Sequence, residues 1–411
     1  MEYGLIGGKL SHSFSVPIHR ALANYSYELC PLPPGELDGF LRARNFCGIN
    51  VTIPYKRDVI PYCDVLSPEA EAIGSVNTVV NRGGKLYGYN TDIYGFQYMA
   101  ERQGICMEGK KVLILGSGGT GHTARAAAVA AGAAEIVVVS RSGEHNYSNL
   151  DRHADAQILV NTTPVGMFPD NGKTPVDLSK FPDCQGVLDV IYNPLSTELV
   201  LEAKVRNIPC TGGLAMLVAQ AKRACELFTD TVLADQKTEQ VFRALWARMS
   251  NIVLIGMPGC GKTTVGQRLA QELSLPFFDT DAWIVSAANR SIPELFAEEG
   301  ESGFRIRERE ACAEAARKTG YVIAVGGGAL LDERNLRALQ GNGVFFFLDR
   351  PLAALATDGR PLSSAPDRLL QLWEERRPLY QSCCDRVIDG TGTVEDVVQK
   401  GKDAYAEIFS N

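Results

Sequence analysis

IGMPGCGKTT, residues 255–264, decides how the C-terminal part of this 411-residue chain folds. It holds the spacing GxxxxGK[ST]. The apolar run NIVLI precedes it, and TTVGQRLAQEL follows with apolar residues at helical intervals. A strand that ends in a glycine-rich turn and reopens as a helix aims backbone N–H groups and a positive dipole end at one point. That is a cradle for phosphate. Lys262 then reaches toward the outer phosphates of a nucleotide, and the Thr263 hydroxyl is placed for Mg²⁺. Gly259, Cys260, Gly261 and Thr264 complete the loop. Cys260 reads either as a small filler or as an oxidation-sensitive thiol at a helix N-terminus.

Downstream, FFDTD at 277–281 ends a short apolar run with two carboxylates at i and i+2. On an extended strand they point to one side. Asp279 is expected on hydrated Mg²⁺, and Asp281 on an acceptor hydroxyl that it orients or deprotonates. No histidine follows His153, so any base in this part is a carboxylate. From Ser250 onward there are 14 arginines and 4 lysines, a bias that suits bidentate binding of carboxylate or phosphate. Arg305, Arg360 and Arg376 stand out because turn or glycine signals flank them.

GMPGCGKTT, DTD, FR-x-x-E, GGG and R-x-PLY, in this order, resemble shikimate kinase over residues 251–405. The resemblance implies that Asp281, Arg305, Gly327, Gly328 and Arg376 hold shikimate, that Glu308 braces them, and that Arg360 closes on the transferring phosphoryl group. ATP and Mg²⁺ are the implied nucleotide and metal. The segment LAALATDGRPL is shorter than in relatives, and no arginine lies between Arg350 and Arg360.

A second glycine loop, LGSGGTG at 115–121, follows the strand-like KKVLIL and opens the Ala-rich helix HTARAAAVAAGA. This is the layout of a dinucleotide site. A site for NAD places an acid at the end of the next strand; EIVVVSRS offers Ser140, Arg141 and Ser142 there. Arg141 pairs with a 2′-phosphate that an acid would repel, which favours NADP over NAD. Two residues outside this unit stand out for chemistry. Lys56 closes GINVTIPYK and Asp92 closes YGYNTD. An ammonium beside a carboxylate supplies the proton that a ketone needs as hydride arrives.

YGLIG…SHSFS, NVTIPYK, GSVNT, GYNTD, GSGGTG, NTTPVGM, DVIYNPLSTEL and GGLAMLVAQA resemble shikimate dehydrogenase over residues 2 to about 245. The resemblance implies that Ser13, Ser15, Thr52, Asn77, Asp92 and Gln220 bind the hydroxyls and carboxylate of shikimate or 3-dehydroshikimate. It makes Lys56 and Asp92 the catalytic pair. Gly116, Gly118, Gly119 and Gly121, with Arg141, would hold NADP(H); Thr162, Tyr192, Gly213 and Met216 would line its nicotinamide. Two departures are visible: Val16 stands where relatives have proline, and the usual NRT-x-x-R clamp is reduced to SRSGEH.

Short apolar runs alternate with helical patterns throughout, so the expected class is α/β with mainly parallel sheets. Residues 1–97, completed by helices at 214–248, are expected to bind the dehydrogenase substrate. A Rossmann domain is expected at 98–213, and a P-loop domain of the nucleoside monophosphate kinase type at 250–411. SVNTVVNRGGKLYGYN reads as a hairpin around Gly83-Gly84, and no Gly/Ser- or Pro-rich spacer marks the join near Ser250. The expected function is two consecutive steps toward aromatic amino acids: NADPH-dependent reduction of 3-dehydroshikimate, then phosphorylation of shikimate. The rival is a catalytically silent sensor of the same metabolites; it should have lost Lys56, Asp92, Lys262 or Asp281, and all four are present. A net charge of −7 argues against a nucleic-acid partner. No apolar run long enough to span a bilayer argues against a membrane partner, and eleven scattered cysteines without CxxC fit a reducing cytoplasm. A monomer or homodimer is expected.

Overall fold

The structure, a computed structural model, describes residues 1–10, 13–355 and 366–409. Arg360 lies outside them. The chain divides into two compact units, Met1–Gly166 with Thr174–Tyr192 and Glu202–Phe242, and Met167–Lys173 with Asn193–Leu201 and Arg243–Asn411.

The first unit holds two sheets. Strands β1 (Tyr3–Gly7), β2 (Tyr27–Pro31), β3 (Gly48–Val51), β4 (Val65–Leu66), β5 (Thr78–Arg82) and β6 (Lys85–Tyr89) pair in the order β2-β1-β3-β5-β6-β4. Helices α1 (Ser15–Leu22), α2 (Leu37–Ala43) and α3 (Pro68–Ile73) connect them, and α4 (Asp92–Arg102) leaves the last strand. β1 runs parallel to β2 and β3, whereas β5 is antiparallel to β3 and β6, with Arg82 facing Lys85 across the Gly83-Gly84 turn. β3 stops at Val51 because the chain turns there, with Tyr55 N–H donating to the Thr52 carbonyl. α1 stops at Leu22 because Ala23 is extended.

The second sheet is wholly parallel: β7 (Lys111–Leu115), β8 (Glu135–Val139), β9 (Ile158–Asn161), β10 (Gly186–Asp189) and β11 (Cys210–Thr211), ordered β11-β10-β9-β7-β8. α5 (Gly119–Ala130) covers it with Ala124, Ala127 and Ala128, all fully buried; small side chains let the helix lie close on the strands. α6 (Glu198–Val205), α7 (Leu214–Thr229) and α8 (Asp235–Met249) follow.

In the second unit, β12 (Asn251–Ile255), β13 (Phe277–Asp279), β14 (Val322–Ala324), β15 (Gly343–Asp349) and β16 (Arg386–Asp389) form a parallel sheet ordered β13-β14-β12-β15-β16. Helices α9 (Lys262–Leu273), α10 (Thr280–Ala288), α11 (Ile292–Ala316), α12 (Glu333–Gln340), α13 (Pro366–Cys383) and α14 (Val394–Phe409) complete it. Ile252, Val253, Leu254 and Ile255 are all at 0% exposure, so this central strand is buried on both faces; that is why it reads as an unbroken apolar run rather than an alternation. Each such side chain stabilises the fold by about 1.5–3 kcal/mol.

Candidate active sites

In the first unit the hairpin assembles the site. Val76 N–H donates to the Lys56 carbonyl at 2.8 Å, which ties the Lys56 turn to the start of β5. Asn77, 3% exposed, accepts from Thr91 N–H at 2.7 Å through Oδ1 and donates from Nδ2 to Thr91 Oγ1 at 3.0 Å. Thr91 precedes Asp92, the first residue of α4. Two residues 36 apart in sequence are thereby brought together, and Lys56 Nζ donates to Asp92 Oδ2 at 2.6 Å. The pair lines a cavity of about 600 Å³ with Ser13, Ser15, Thr52, Asn77, Tyr192, Gly213, Met216 and Gln220. Ser13 Oγ donates to Ser15 Oγ at 3.0 Å, and Gln220 Nε2 to the Leu217 carbonyl at 3.0 Å. Lys9 and Asn50 also line it and were missed from sequence; neither sits in a spaced motif.

Behind Asn50 lies an aromatic stack. Tyr27 Oη donates to Asn50 Oδ1 at 2.7 Å, and the His19 ring stacks on Tyr27 with centroids 3.9 Å apart. His19 Nδ1 meets Tyr25 Oη at 2.6 Å. Burial pushes the His19 imidazole down to about 3 against a smaller opposing pull from Asn50, so it is neutral in the fold. The unfolded imidazole takes a proton below about pH 6.5 while the folded one refuses it until about pH 3. The stabilisation is therefore complete above pH 6.5 and lost as pH falls toward 3, at up to about 1.4 kcal/mol per pH unit. Between pH 7.5 and 5.5 the wild type should lose about 1.4 kcal/mol more than a His19→Gln variant, read from the urea midpoint of this unit. Equal pH dependence would show that His19 is not held neutral.

The glycine loop sits at the C-terminal end of β7, beyond the cavity lining, with its Thr120 reaching the cavity. A Cβ on Gly121 would lie 2.3 Å from the Gly116 carbonyl oxygen, so only glycine lets the helix start so close to the turn. Thr162 Oγ1 donates to the Leu115 carbonyl at 2.8 Å and so braces the loop. By contrast, among the described residues nothing stands where side chains on Gly118 and Gly119, at the N-terminus of α5, would begin. That gap over a helix N-terminus fits a pyrophosphate. Arg141 is exposed just past β8, outside the cavity lining and near Tyr147.

In the second unit a cavity of about 350 Å³ is lined by Gly259, Gly261, Lys262, Thr263, Thr264, Asp279, Asp281, Arg305, Glu308, Gly327, Gly328 and Arg376. Gly261 caps α9 at φ +97°, a conformation that favours glycine. Lys262 Nζ donates to the Gly256 and Met257 carbonyls at 2.8 and 3.0 Å. Cys260 is buried against the loop. Thr263 Oγ1 donates to Asp279 Oδ2 at 2.7 Å. Among the described residues no cluster of three His, Cys, Asp or Glu forms a cage. Two adjacent oxygens are nevertheless what Mg²⁺ takes from protein when phosphates and water fill its other positions.

Asp281 corrects one expectation. It does not lie on a strand with Asp279: β13 ends at Asp279, whose Oδ1 accepts the N–H groups of Asp281 and Ala282 at 2.9 and 3.0 Å and caps α10. Helix capping outcompetes strand extension here, and Asp281 reaches the cavity from the first helical turn. Nearby, Arg305 Nη1 donates to Glu308 Oε2 at 2.6 Å. Glu308 is 2% exposed; burial pushes its carboxyl up, outweighing the pull of Arg305. A Cβ on Gly328 would lie 2.6 Å from Arg305 Nη1, so the glycine leaves room for the guanidinium. Arg376 is 4% exposed and its Nε has no hydrogen-bond partner among the described residues, a donor suited to a carboxylate.

These two sites define a Rossmann-type oxidoreductase joined to a P-loop phosphotransferase. A family model described as "Shikimate dehydrogenase substrate binding domain" matches residues 5–79, and one described as "Shikimate kinase" matches residues 258–406. The shikimate dehydrogenase (NADP(+)) of Clostridium beijerinckii is 36% identical over 259 residues, 58% of this chain and 96% of the relative. The crystal structure of shikimate 5-dehydrogenase from Thermus thermophilus in complex with NADP(H) and shikimate matches 59% of this chain and 99% of its own, with TM-score 0.55 and 32% identity. A chorismate mutase/shikimate 5-dehydrogenase fusion from Clostridium acetobutylicum matches with TM-score 0.57 and 30% identity over 59% of this chain and 96% of its own. The chain belongs to the shikimate dehydrogenase family and carries a shikimate kinase domain behind it. It is a bifunctional enzyme of the shikimate pathway, with NADP(H), ATP and Mg²⁺ as its cofactors.

Proposed function

We propose that the first site reduces 3-dehydroshikimate to shikimate and the second phosphorylates the 3-hydroxyl of that product. Bound NADPH supplies the hydride, and bound MgATP the phosphoryl group. The Lys56 ammonium delivers a proton to the ketone oxygen, and Asp92 keeps it aimed. Ser13, Ser15, Thr52, Asn77 and Gln220 hold hydroxyls and carboxylate, and a site so built rejects analogues lacking them. Gly116, Gly118, Gly119, Gly121 and Arg141 hold NADP, with Thr162, Tyr192, Gly213 and Met216 toward its nicotinamide. In the kinase, Asp281 takes the proton of the acceptor hydroxyl, Arg305, Arg376 and the Gly327–Gly328 turn hold shikimate, and Arg360 meets the transferring group. Lys262 and its loop bind phosphate, and Thr263 with Asp279 binds Mg²⁺. The Lys56–Asp92 pair at 2.6 Å inside that cavity is the observation that carries the first assignment.

Segments 1–97 with 214–248, 98–213 and 250–411 divide this work, a division supported by the three sheets lying in succession along the chain. The enzyme acts in the cytoplasm as a monomer or homodimer, without nucleic-acid or membrane partners; the net charge of −7 speaks against nucleic acid, and among the described residues no helix is long and apolar enough to cross a membrane. Purified protein given 3-dehydroshikimate and NADPH should form shikimate, and with MgATP also present should form shikimate 3-phosphate, one ADP per NADPH oxidised. NADH should serve less well. Failure to turn over or bind either shikimate compound would overturn the assignment.

A further inference from the structure

Arg350 follows β15, whose end packs on the phosphate-binding loop: a Cβ on Gly256 would lie 2.7 Å from the Leu348 carbonyl oxygen. The guanidinium reaches the loop itself, because a Cβ on Gly261 would meet Arg350 Nη1 at 3.7 Å. Its stem is fixed from the other side, where a Cβ on Gly390 would stand 3.0 Å from Arg350 Cβ. A cation is thus held beside the N-terminus of α9, a position where the helix dipole is itself positive. Lys262 adds another positive charge nearby.

Among the described residues no carboxylate neutralises Arg350. Asp349 accepts from Arg377 at 3.0 Å, Asp389 from Lys400 at 2.7 Å, and Asp279 from Thr263 at 2.7 Å. Arg350 Nε is buried without a hydrogen-bond partner. An unanswered guanidinium against a positive helix end is unfavourable unless an anion joins it, and the planar fork of arginine matches phosphate oxygens.

We propose that Arg350 is a further nucleotide-binding residue of the kinase, paired with the polyphosphate chain of ATP or ADP and with no protein carboxylate. The assignment rests on reading this unit as a kinase. It gives the nucleotide an arginine contact from the end of β15.

The test is calorimetric titration of the full chain with ADP and, separately, with shikimate, for wild type, Arg350→Gln and Arg350→Lys. Arg350→Gln should bind ADP about tenfold more weakly while binding shikimate as wild type does. Arg350→Lys should recover part of the loss, since it restores charge but not the fork. Unchanged ADP affinity in Arg350→Gln would overturn the proposal. So would parallel loss of shikimate binding, which would make the side chain a brace of the fold. A wild type that binds no ADP would overturn the kinase reading, and this assignment with it.

Discussion

Lys56→Ala should lower turnover of 3-dehydroshikimate by about 10²–10⁴-fold, the range for losing a positioned proton donor. Its Nζ lies 2.6 Å from Asp92 Oδ2, and both side chains are mostly withdrawn from solvent, so no water-borne group is as well aimed. Removing the ammonium also leaves the Asp92 carboxylate without its partner beside an anionic substrate. The Michaelis constant should therefore rise as well, by less than kcat falls. Phosphorylation of added shikimate should stay within about twofold of wild type, because no described residue lines both cavities. NADPH absorbance and ADP release, measured on one preparation, check both halves. A variant that keeps a tenth or more of its reductase turnover would remove Lys56 from the chemistry.

The mirror experiment is Lys262→Ala, which should lower shikimate phosphorylation by about 10³-fold or more and leave reduction within about twofold. Two losses combine. The ammonium no longer meets phosphate, and the Gly256 and Met257 carbonyls lose the donor that closes the loop. Arginine at this position should not restore activity, since the planar fork cannot sit between those two carbonyls as a compact ammonium does. Fed 3-dehydroshikimate, NADPH and MgATP, the variant should accumulate shikimate. Formation of shikimate 3-phosphate at the wild-type rate would show that Lys262 carries no part of the transfer.

How much of this could be read from the amino acids depended on how local each signal was. The loop at 255–264 is contiguous, and its flanking strand and helix are legible from apolar spacing, so that unit could be placed directly. The Lys56–Asp92 pair could not be found from spacing alone: it depends on backbone bonds from β5 and on the Asn77–Thr91 contact, which no periodicity encodes. Resemblance supplied it. Asp281 lines its cavity from a helical turn and not from the strand its spacing suggests, because DTD fits a strand end and a helix cap equally well by composition. Lys9 and Asn50 line the first cavity from positions with no motif around them. Arg350 stands in none of the quoted motifs, and only the folded chain sets it beside the phosphate loop.

Asn77 has a bearing on any effort to diversify the enzyme's ligand range. It lines the cavity, yet both ends of its amide fasten Thr91, the neighbour of Asp92. Libraries randomised at 77 alone should mostly report damage to the Lys56–Asp92 contact rather than new preferences. Productive variants should emerge only when 77 and 91 change as a matched couple, and natural drift at the two positions should be correlated for the same reason.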